Sequence, residues 1–327
     1  MIRKARAKAH SNIALIKYWG KKDDKLKLPM NSSLSMTLDC FYTITEVEFN
    51  PDLEEDVFYL NNILQDEKAT DKVKTFVDLF RQEAGTEDRV LIKSTNYLPT
   101  AAGLASSASG YAALAGALNE ALNLKMDKKT LSTFARRGSG SATRSVYGGF
   151  VEWIEGFDNE SSHAQKVDEG DFDIGMVIVV LNPNKKKISS TQAMKATVES
   201  SPFYQIWPSE ANSNIIDMKK AIEKKDVKSI GRIAERNSIM MHATMMGAKE
   251  PIIYWEKESI LAMDLVRQMR EDEILAYFTM DAGPNVKIIC RESDQDLIVE
   301  RLNKHFSDDQ IIRAGIGPSI TILKENL

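Results

Sequence analysis

The alternation of hydrophobic and polar positions predicts a chain that mixes helices with strands. Apolar side chains recur at helical spacing between residues 68 and 83, and the segment RVLIKSTN that follows has the composition of a strand. From Ser107 onward, apolar residues lie three and four apart with alanines between them, which predicts a closely packed helix. A short helix is expected at 127–136, followed by a stretch of small residues. The first half of the chain therefore combines both kinds of element.

The second half is predicted to be mostly helical, with a β-rich part set among the helices. Residues 173–181 are predicted to form a buried strand, because their apolar run has the length of a strand. The same run is far too short to span a bilayer. Helices are predicted at 188–200, 210–224, 226–246, 258–271 and 294–305. Strands are expected within ILAYFTMDAGPNVKIICR and IIRAGIGPSITIL. The turn residues and three lysines of LNPNKKK favour a domain boundary there, which gives domains of 1–183 and 184–327.

The length and composition are typical of a folded protein with two domains. The chain has 327 residues, more than a single hydrophobic core commonly supports. Hydrophobic residues make up 43% and charged residues 28%, which is unlike a disordered chain. The net charge is -4, so no overall positive field attracts the protein to nucleic acid or to a membrane. Any bound anion must therefore be held by a local cluster of positive charge.

The cysteine content and the N-terminus favour a cytoplasmic location. Cys40 and Cys290 lie far apart without a CxxC pattern, so neither a disulfide framework nor a structural zinc site is expected. The N-terminal segment MIRKARAKAHSNIAL is basic but lacks the apolar core of a signal peptide. We therefore expect a cytoplasmic protein without a membrane partner.

The most distinctive stretch is PTAAGLASSASG at 99–110, which runs from a proline through small residues into the predicted helix. A helix N-terminus leaves backbone N–H groups unpaired, and small residues would let a phosphate approach them closely. Ser106 and Ser107 could cap the helix or turn their hydroxyls toward a ligand. Taken alone, such a stretch is more often an ordinary serine-capped helix. Neither GxxxxGK[ST] nor GxGxxG occurs in the chain.

Three further clusters carry positive charge. RRGSGSATRS at 136–145 suits a carboxylate or phosphate, because arginine offers a bidentate fork, but a solvated basic turn fits the stretch equally well. NIALIKYWGKKDDKLKLP places Lys17, Tyr18, Lys21 and Lys22 where an apolar strand pattern ends. The three lysines at 185–187 would by themselves be interpreted as a solvated run.

One aspartate stands at a turn between predicted strands: Asp281, within FTMDAGPNVKII. A turn aspartate most often caps its own backbone, and the alternative is a carboxylate that positions or deprotonates a hydroxyl. The four histidines form no local motif, and no metalloprotease, nucleophile-elbow or EF-hand pattern is present. His242, which is flanked by methionines, is expected to be a core histidine.

Together these stretches resemble a known superfamily and one family within it. The segment 99–108 matches the form P-x-x-x-G-L-x-S-S-A, the phosphate-binding motif of the GHMP kinase superfamily of small-molecule kinases. Four more stretches are similar to the diphosphomevalonate decarboxylase family: NIALIKYWGKKD, NSSLSMTL at 31–38, RRGSGSATRSVYGGFVEW at 136–153, and FTMDAGPN. The matches run in order through most of the chain.

The resemblance implies a fold and a reaction. Two α/β domains are expected, the N-terminal one similar to the second domain of ribosomal protein S5 and the C-terminal one an α+β GHMP kinase domain, with the active site in the cleft between them. ATP would phosphorylate the tertiary 3-hydroxyl of mevalonate 5-diphosphate, and loss of phosphate and CO2 would give isopentenyl diphosphate. The resemblance also implies Mg2+ and a homodimer.

The resemblance further implies roles for individual residues. Asp281 would orient or deprotonate the 3-hydroxyl, Lys17 would hold the charge of Asp281, and Arg144 would pair with the substrate carboxylate. Ser107 would lie near the transferred phosphoryl group and the Mg2+-bound end of the nucleotide. The expected nucleotide-binding residues are Pro99, Ala101, Ala102, Gly103, Leu104, Ala105, Ser106, Ser107 and Lys186. The expected substrate-binding residues are Tyr18, Lys21, Ser139, Gly140, Ser141, Arg144, Ser190 and Met194.

Related activities stay open at this point. Some bacterial members of the family carry arginine where this chain has Thr191, so that substrate contact is either missing here or supplied elsewhere, for example by a lysine. The alternatives are a mevalonate or phosphomevalonate kinase, a decarboxylase of the monophosphate, and a non-catalytic ligand sensor of the same fold. The joint presence of Lys17, Arg144 and Asp281 argues against a simple kinase and against a sensor.

Overall fold

The computed structural model of the protein describes residues 2–97, 107–181 and 188–324, which contain two large β-sheets flanked by helices. The strands are β1 Arg3–Ile16, β2 Lys21–Asp23, β3 Leu28–Pro29, β4 Ser33–Phe49, β5 Val57–Leu60, β6 Ile63–Leu64, β7 Val90–Tyr97, β8 Phe150–Trp153, β9 Ala164–Asp168, β10 Gly175–Val179, β11 Ala276–Thr279, β12 Val286–Cys290, β13 Ile311–Ala314 and β14 Thr321–Leu323. The helices are α1 Glu67–Ala84, α2 Ser107–Ala121, α3 Lys128–Gly138, α4 Ser190–Ser200, α5 Trp207–Glu223, α6 Val227–Met246, α7 Lys257–Glu271 and α8 Gln295–Leu302.

The first sheet has the strand order β14-β1-β4-β7-β5-β6, with β8 pairing with β4 and β9 with β8. The pairing of β1 with β4 shifts register between His10 and Asn12 and again between Ala14 and Ile16. Bulges of this kind redirect side chains and are common beside active sites. Here they precede the end of β1, where the chain enters the cleft described below.

Helices α1, α2 and α3 pack against the first sheet. Helix α2 buries mostly alanines, and β1 turns Ala5, Ala7 and Ala9 toward the same core. At Gly116 a Cβ would come within 2.4 Å of the end of the Ile320 side chain and 3.3 Å of the Cβ of Ala7, so a larger residue would require Ile320 to move. Small residues on both elements therefore let the helix lie close to the strand.

The second sheet is antiparallel, in the order β11-β12-β10-β13, and carries helices on both faces. Val177 and Val179 of β10 pack in one core with α7 and α8, whereas Met176 and Ile178 pack in another with α4, α5 and α6. Because alternate side chains of β10 enter two different cores, the strand needs apolar residues at every position. This explains the uninterrupted apolar run.

One of these two cores joins the halves of the molecule. It contains Leu15 and Ile16 of β1 and Leu34 and Met36 of β4, together with side chains of β10 and of helices α4 to α6. All four of these residues have no exposed surface. The first sheet and the second half of the chain are therefore packed together right up to the end of β1.

The predicted helices and strands are confirmed, but the sequence pattern predicts only the end of β1 and none of β2 to β6, β8 and β9. The predicted division after residue 183 stays a prediction about domains, and strand pairing does not follow it. Strand β10 precedes that point yet pairs with β12 and β13 in the second sheet, and β14 returns to pair with β1 in the first. An apolar run shows that a strand is buried and does not show which sheet it joins.

Candidate active site

A cleft of about 330 Å³ lies where the two halves meet. Its walls come from the end of β1, the start of α2, the 3-10 turn Gly140–Val146, the start of α4 and the turn after β11. The cleft brings together the described residues that the sequence nominated, namely Lys17, Tyr18, Lys21, Ser107, Ser139, Gly140, Ser141, Arg144, Ser190, Met194 and Asp281. The other nominated residues, Pro99, Ala101, Ala102, Gly103, Leu104, Ala105, Ser106 and Lys186, lie outside the described residues.

Lys17 is the residue directly after β1, and it is held from several sides. Its side chain is 2% exposed, and Nζ donates to Asp281 Oδ1 at 2.8 Å and to the carbonyl of Ala14 at 2.7 Å. Its backbone N–H donates to Asn237 Oδ1 at 2.8 Å, and the Asn31 amide donates to its carbonyl at 2.9 Å. Because Asn237 belongs to α6, the second half of the chain fixes the backbone that carries this ammonium group.

Asp281 lies in the turn between β11 and β12 and faces the cleft. Its Oδ1 accepts from Lys17, and its Oδ2 lies 3.2 Å from Nζ of Lys287. The aspartate side chain is 39% exposed, whereas the two lysines are 2% and 3% exposed. Ser238 of α6 holds the turn by donating to the Met280 carbonyl at 3.1 Å and accepting from the Met280 N–H at 2.8 Å. The carboxylate is thus open to a ligand on one side and paired with buried cations on the other.

These contacts change the acidity of both partners. Burial by itself raises the pKa of Asp281, but the ammonium groups of Lys17 and Lys287 outweigh it and hold that pKa well below its usual range. Burial lowers the pKa of Lys17 to about 8, although Asp281 opposes the shift. At neutral pH the aspartate is therefore ionised and Lys17 is mostly protonated. Such a weakly basic carboxylate is better suited to accept a hydrogen bond than to retain a proton.

Arg144 is a buried cation that forms no ion pair with a carboxylate within the described ranges, although the charge of Asp281 acts on it through space. The residue is 2% exposed, and its contacts are neutral: Nη1 donates to Ser33 Oγ at 2.6 Å, while Nε and Nη2 lie 3.3 and 3.2 Å from Asn12 Oδ1. Burial lowers its pKa to about 10, so it stays charged at neutral pH. Burying a charge without a counter-ion is costly. Its place on the cleft wall therefore favours an anionic ligand.

Three serine hydroxyls cluster where α2 begins. Ser139 Oγ lies 3.3 Å from Ser107 Oγ and 3.2 Å from Ser141 Oγ. Gly140 separates two of them, and a Cβ there would come within 2.9 Å of the Tyr18 ring. Ser107 is exposed at the first residue of α2. The N-terminus of a helix favours an anion through its dipole and through N–H groups that have no partner within the helix. The arrangement offers hydroxyls and backbone donors to phosphate oxygens.

The hydroxyl of Tyr18 is buried and lacks a hydrogen-bond partner among the residues that the structure describes. Burial raises its pKa above the usual range, so the phenol stays protonated. Its ring packs against Trp153 with the centroids 4.8 Å apart, which fixes its direction. Buried hydroxyls are usually hydrogen-bonded, so a partner for this group is expected from a bound ligand or from outside the described residues.

The lining of the cleft is strongly positive although the whole chain is acidic. Its charged residues are Lys17, Lys21, Lys27, Lys72 and Arg144 on the basic side and Asp281 on the acidic side. Burial, and then the charges of Lys21, Lys72 and Arg137, lower the pKa of Lys27 to about 8. Repulsion among these groups is relieved by a ligand with several negative charges, such as a diphosphate or a nucleotide.

Several residues of the site are not among those predicted from the sequence. They are Asn12 and Ser33, which hold Arg144, the cleft lysines Lys27 and Lys72, and Lys287 behind Asp281. Asn12 and Ser33 lie inside stretches that carried the family resemblance, so a signal for them was present. Lys287 is the one lysine within the apolar strand VKIIC, which was also a visible signal. Lys27 lies inside the basic stretch NIALIKYWGKKDDKLKLP, whereas nothing in the sequence pattern points to Lys72.

The described ranges contain no group of three or more acidic, histidine or cysteine side chains able to hold a metal ion. Mg2+ commonly binds through substrate phosphates and oxygen ligands while keeping several waters, and the Ser107 hydroxyl beside Ser139 is a donor of that kind. The residues present therefore fit Mg2+ that arrives with a nucleotide. Across the same part of the chain, no helix has the length and apolar character that crossing a membrane requires.

Comparison with known families gives two matches that together cover most of the chain. Residues 9–164 match the diphosphomevalonate decarboxylase-like N-terminal domain. Residues 176–319 match the mevalonate 5-diphosphate decarboxylase C-terminal domain. The interval between the two matches lies ahead of most of β10, in agreement with the pairing of that strand in the second sheet.

Individual relatives match over nearly their whole length. A diphosphomevalonate decarboxylase of Candida albicans is 35% identical over 97% of this chain and 97% of its own. A phosphomevalonate decarboxylase of Haloferax volcanii is 33% identical over 99% of this chain and 98% of its own. A solved structure of MDDEF in complex with MVAPP, AMPPCP and magnesium is 47% identical, with a TM-score of 0.95 over 99% of this chain and 100% of that one. This similarity confirms the expected two-domain α/β fold of the GHMP kinase type.

Proposed function

Because the chain belongs to the diphosphomevalonate decarboxylase family, we propose that it catalyses the ATP-dependent decarboxylation of mevalonate 5-diphosphate to isopentenyl diphosphate. The observation that carries this proposal is that the Lys17–Asp281 ion pair and the buried, unneutralised Arg144 line one cleft. The substrate has a reacting hydroxyl, a carboxylate and a diphosphate. The cleft offers a hydroxyl acceptor, a carboxylate binder and a positively charged wall.

Substrate binding uses the buried cation and the serine cluster. The Arg144 guanidinium pairs with the substrate carboxylate, which supplies the counter-ion that the protein itself lacks there. Tyr18, Lys21 and the segment 139–141 hold the diphosphate through hydroxyls, backbone N–H groups and positive charge. Ser190 and Met194 close the pocket from the second half of the chain.

The first chemical step is phosphoryl transfer to the 3-hydroxyl. Asp281 accepts a hydrogen bond from that hydroxyl and directs its oxygen toward the γ-phosphate of ATP, while Lys17 keeps the carboxylate in place. As the new O–P bond forms and ADP leaves, the hydroxyl proton passes to Asp281. A tertiary alcohol is a very weak acid, and phosphoryl transfer depends mainly on positioning and charge stabilisation. The low pKa of Asp281 agrees with a positioning role rather than with early deprotonation.

The nucleotide is held by the small-residue segment before α2, with Ser107 at the helix start and Lys186 contributing from the linking segment. Mg2+ bound with the nucleotide neutralises charge on the β- and γ-phosphates. Among the described residues, Ser107 faces this end of the nucleotide and offers its hydroxyl at the N-terminus of α2, where the helix dipole favours phosphate.

The second step is loss of phosphate and CO2. The C3–O bond breaks with its electron pair leaving on phosphate, and positive charge develops at C3. The electrons of the bond to the carboxylate then form the new double bond, and CO2 departs. Arg144 must position the carboxylate without stabilising the ground state more than the transition state.

A second candidate is decarboxylation of mevalonate 5-phosphate, which is favoured by the 33% identity to the Haloferax volcanii phosphomevalonate decarboxylase. The test is to compare kcat/KM for the two substrates with Mg-ATP. The crowded basic lining predicts a higher value for the diphosphate. A higher kcat/KM for mevalonate 5-phosphate would show that the monophosphate, and not the diphosphate, is the substrate.

Assembly, location and domain division are part of the same proposal. We propose a cytoplasmic homodimer with domains of 1–183 and 184–327, on the strength of the family resemblance and the sequence features described above. Sedimentation analysis should give twice the mass of the chain. A monomeric mass at micromolar concentration would contradict the proposed homodimer.

A further inference from the structure

Lys287 has a contact that the proposed mechanism does not use. It is the second residue of β12, and its Nζ lies 3.2 Å from Oδ2 of Asp281 and donates to the carbonyl of Asn285 at 3.2 Å. Its side chain is 3% exposed, so it approaches the aspartate from the protein interior. The other carboxylate oxygen of Asp281, Oδ1, lies 2.8 Å from Nζ of Lys17. Each oxygen of Asp281 is therefore paired with a different buried ammonium group.

This double pairing restricts the carboxylate. A contact at one oxygen alone would leave the group free to turn about its last bond, and contacts at both oxygens prevent that rotation. A carboxylate offers about four lone-pair positions, so a substrate hydroxyl can still be accepted on the exposed side. Asp281 retains 39% exposure for that purpose.

The position of Lys287 is costly unless the charge has a use. An ammonium group inside a strand that is otherwise apolar loses its hydration, and a hydrophobic residue of similar length would pack there without that cost. Its partner Asp281 already has an ion pair with Lys17. A purely structural need for a second lysine is therefore not evident.

We propose that Lys287 is a positioning residue that keeps the Asp281 carboxylate oriented toward the substrate hydroxyl, an inference that rests on the role proposed above for Asp281. The charged and titratable groups around Asp281 come from every neighbouring element: Lys17 after β1, Arg144 in the 3-10 turn, His242 in α6 and Lys287 in β12. Burial, and then the charge of Lys17, lower the pKa of His242 to about 3, so the imidazole is neutral. Loss of Lys287 therefore removes one of two cations that touch the carboxylate.

The test is the variant Lys287→Met, which keeps the length of the side chain and removes its charge. We expect kcat to fall at least about tenfold while KM for the substrate and the Kd for Mg-ATP change less than about twofold, because Lys287 acts behind Asp281. In protein labelled with 13C at the aspartate carboxyl, the Asp281 signal should titrate at higher pH in the variant than in the parent. Lys287→Arg should restore much of kcat.

The matched control is Lys219→Met. It breaks another lysine–carboxylate pair, with Nζ 2.9 Å from Oε2 of the nearly buried Glu152, at a place outside the cleft. This variant should leave kcat and the Asp281 signal unchanged. Lys287→Met is also combined with Asp281→Asn, and in that background it should cause no further loss of single-turnover rate.

Two outcomes overturn the proposal: kcat of Lys287→Met within twofold of the parent, or an equal loss with and without Asp281. If Asp281→Asn itself retains near-normal turnover, the role of Asp281 fails, which is a separate result. Should Lys287→Met not fold, Lys287→Gln, which also removes the charge, takes its place in the same measurements with the same two overturning outcomes.

Discussion

At the scale of single residues, the cleft is organised by buried charges whose partners are incomplete. Lys17 and Asp281 are paired with each other, whereas Arg144 has only neutral contacts from the described part of the protein. The residue types at these positions could be predicted from the motifs. The buried state of Arg144 and the second cation on Asp281 could not, because both depend on how distant segments pack.

The pKa of Lys17, lowered by burial to about 8, predicts a loss of activity on the basic side. Below that pH the ammonium group is protonated and holds Asp281, and as pH rises through about 8 the proton and the ion pair are lost. The pH profile of kcat/KM, which reports the free enzyme, should therefore decline with a midpoint near 8. In Lys17→Arg the limb should move to higher pH, since guanidinium does not titrate in this range. An identical limb in both proteins would exclude Lys17 as its source.

The incomplete partnering of Arg144 predicts that activity and stability separate on substitution. Arg144→Met should lower turnover by about 100-fold or more, because the substrate carboxylate is no longer positioned. It should lower the free energy of unfolding by no more than about 1–2 kcal/mol, because the cost of losing hydrogen bonds to neutral groups is offset by removing a buried charge that has no ion pair. Urea unfolding and steady-state kinetics on the same preparation measure both effects.

The control for Arg144 is Arg81, which is 5% exposed and paired with Asp56 and Asp78. Arg81→Met leaves the buried Asp56 without that partner, so it should cost about 3–5 kcal/mol of stability. The KM for substrate should be unchanged. A large loss of stability in Arg144→Met would show that Arg144 is a structural cation instead.

At the scale of elements, the site depends on where strands end and where the chain turns tightly. The helices could be predicted because their apolar residues recur at helical spacing, as in α1. Strand β1 was missed over most of its length because its buried face consists of Ala5, Ala7 and Ala9, which carry a weak hydrophobic signal. The bulges that precede Lys17 are invisible in the sequence, since they depend on register against β4.

Gly20 predicts a strong sensitivity of the chain just after the Lys17–Tyr18 segment. Its φ is +104°, and a Cβ there would come within 1.7 Å of the Tyr204 hydroxyl, which donates to the Trp19 carbonyl. Gly20→Ala should therefore cost about 3 kcal/mol or more, through backbone strain together with overpacking. Chemical denaturation gives the value.

Gly85 provides the matched control, because it also has a positive φ, +63°, but nothing lies within 4 Å of a Cβ built there. Gly85→Ala carries the backbone cost alone, about 1–2 kcal/mol. Equal losses for the two variants would mean that the contact with Tyr204 is not rigid. Substrate KM should rise only in Gly20→Ala.

At the scale of the whole molecule, the two halves share a core and exchange strands. Leu15 and Ile16 of β1 pack in the same core as β10 and helices α4 to α6, and β14 closes the edge of the first sheet. The α/β class and the presence of an interdomain cleft could be predicted from the motifs and their order. The joint core could not, because it depends on contacts between residues far apart in the chain.

This joint core predicts that the N-terminal half does not fold alone. A fragment of residues 1–183 lacks the helices that cover Leu15 and Ile16 and lacks the partners of β10. It should show no cooperative unfolding transition in urea, whereas the full chain should. A cooperative transition in the fragment would show that the predicted domain of 1–183 is an independent unit.

The most direct test of the proposed function is to incubate the full-length protein with Mg-ATP and mevalonate 5-diphosphate and to measure CO2 and ADP in the same reaction. Decarboxylation driven by phosphorylation predicts that both products appear in equal amounts, together with isopentenyl diphosphate and phosphate. ADP without CO2 would show a kinase that stops at the phosphorylated intermediate. The absence of both products would contradict the proposed enzymatic activity and would favour a non-catalytic ligand sensor.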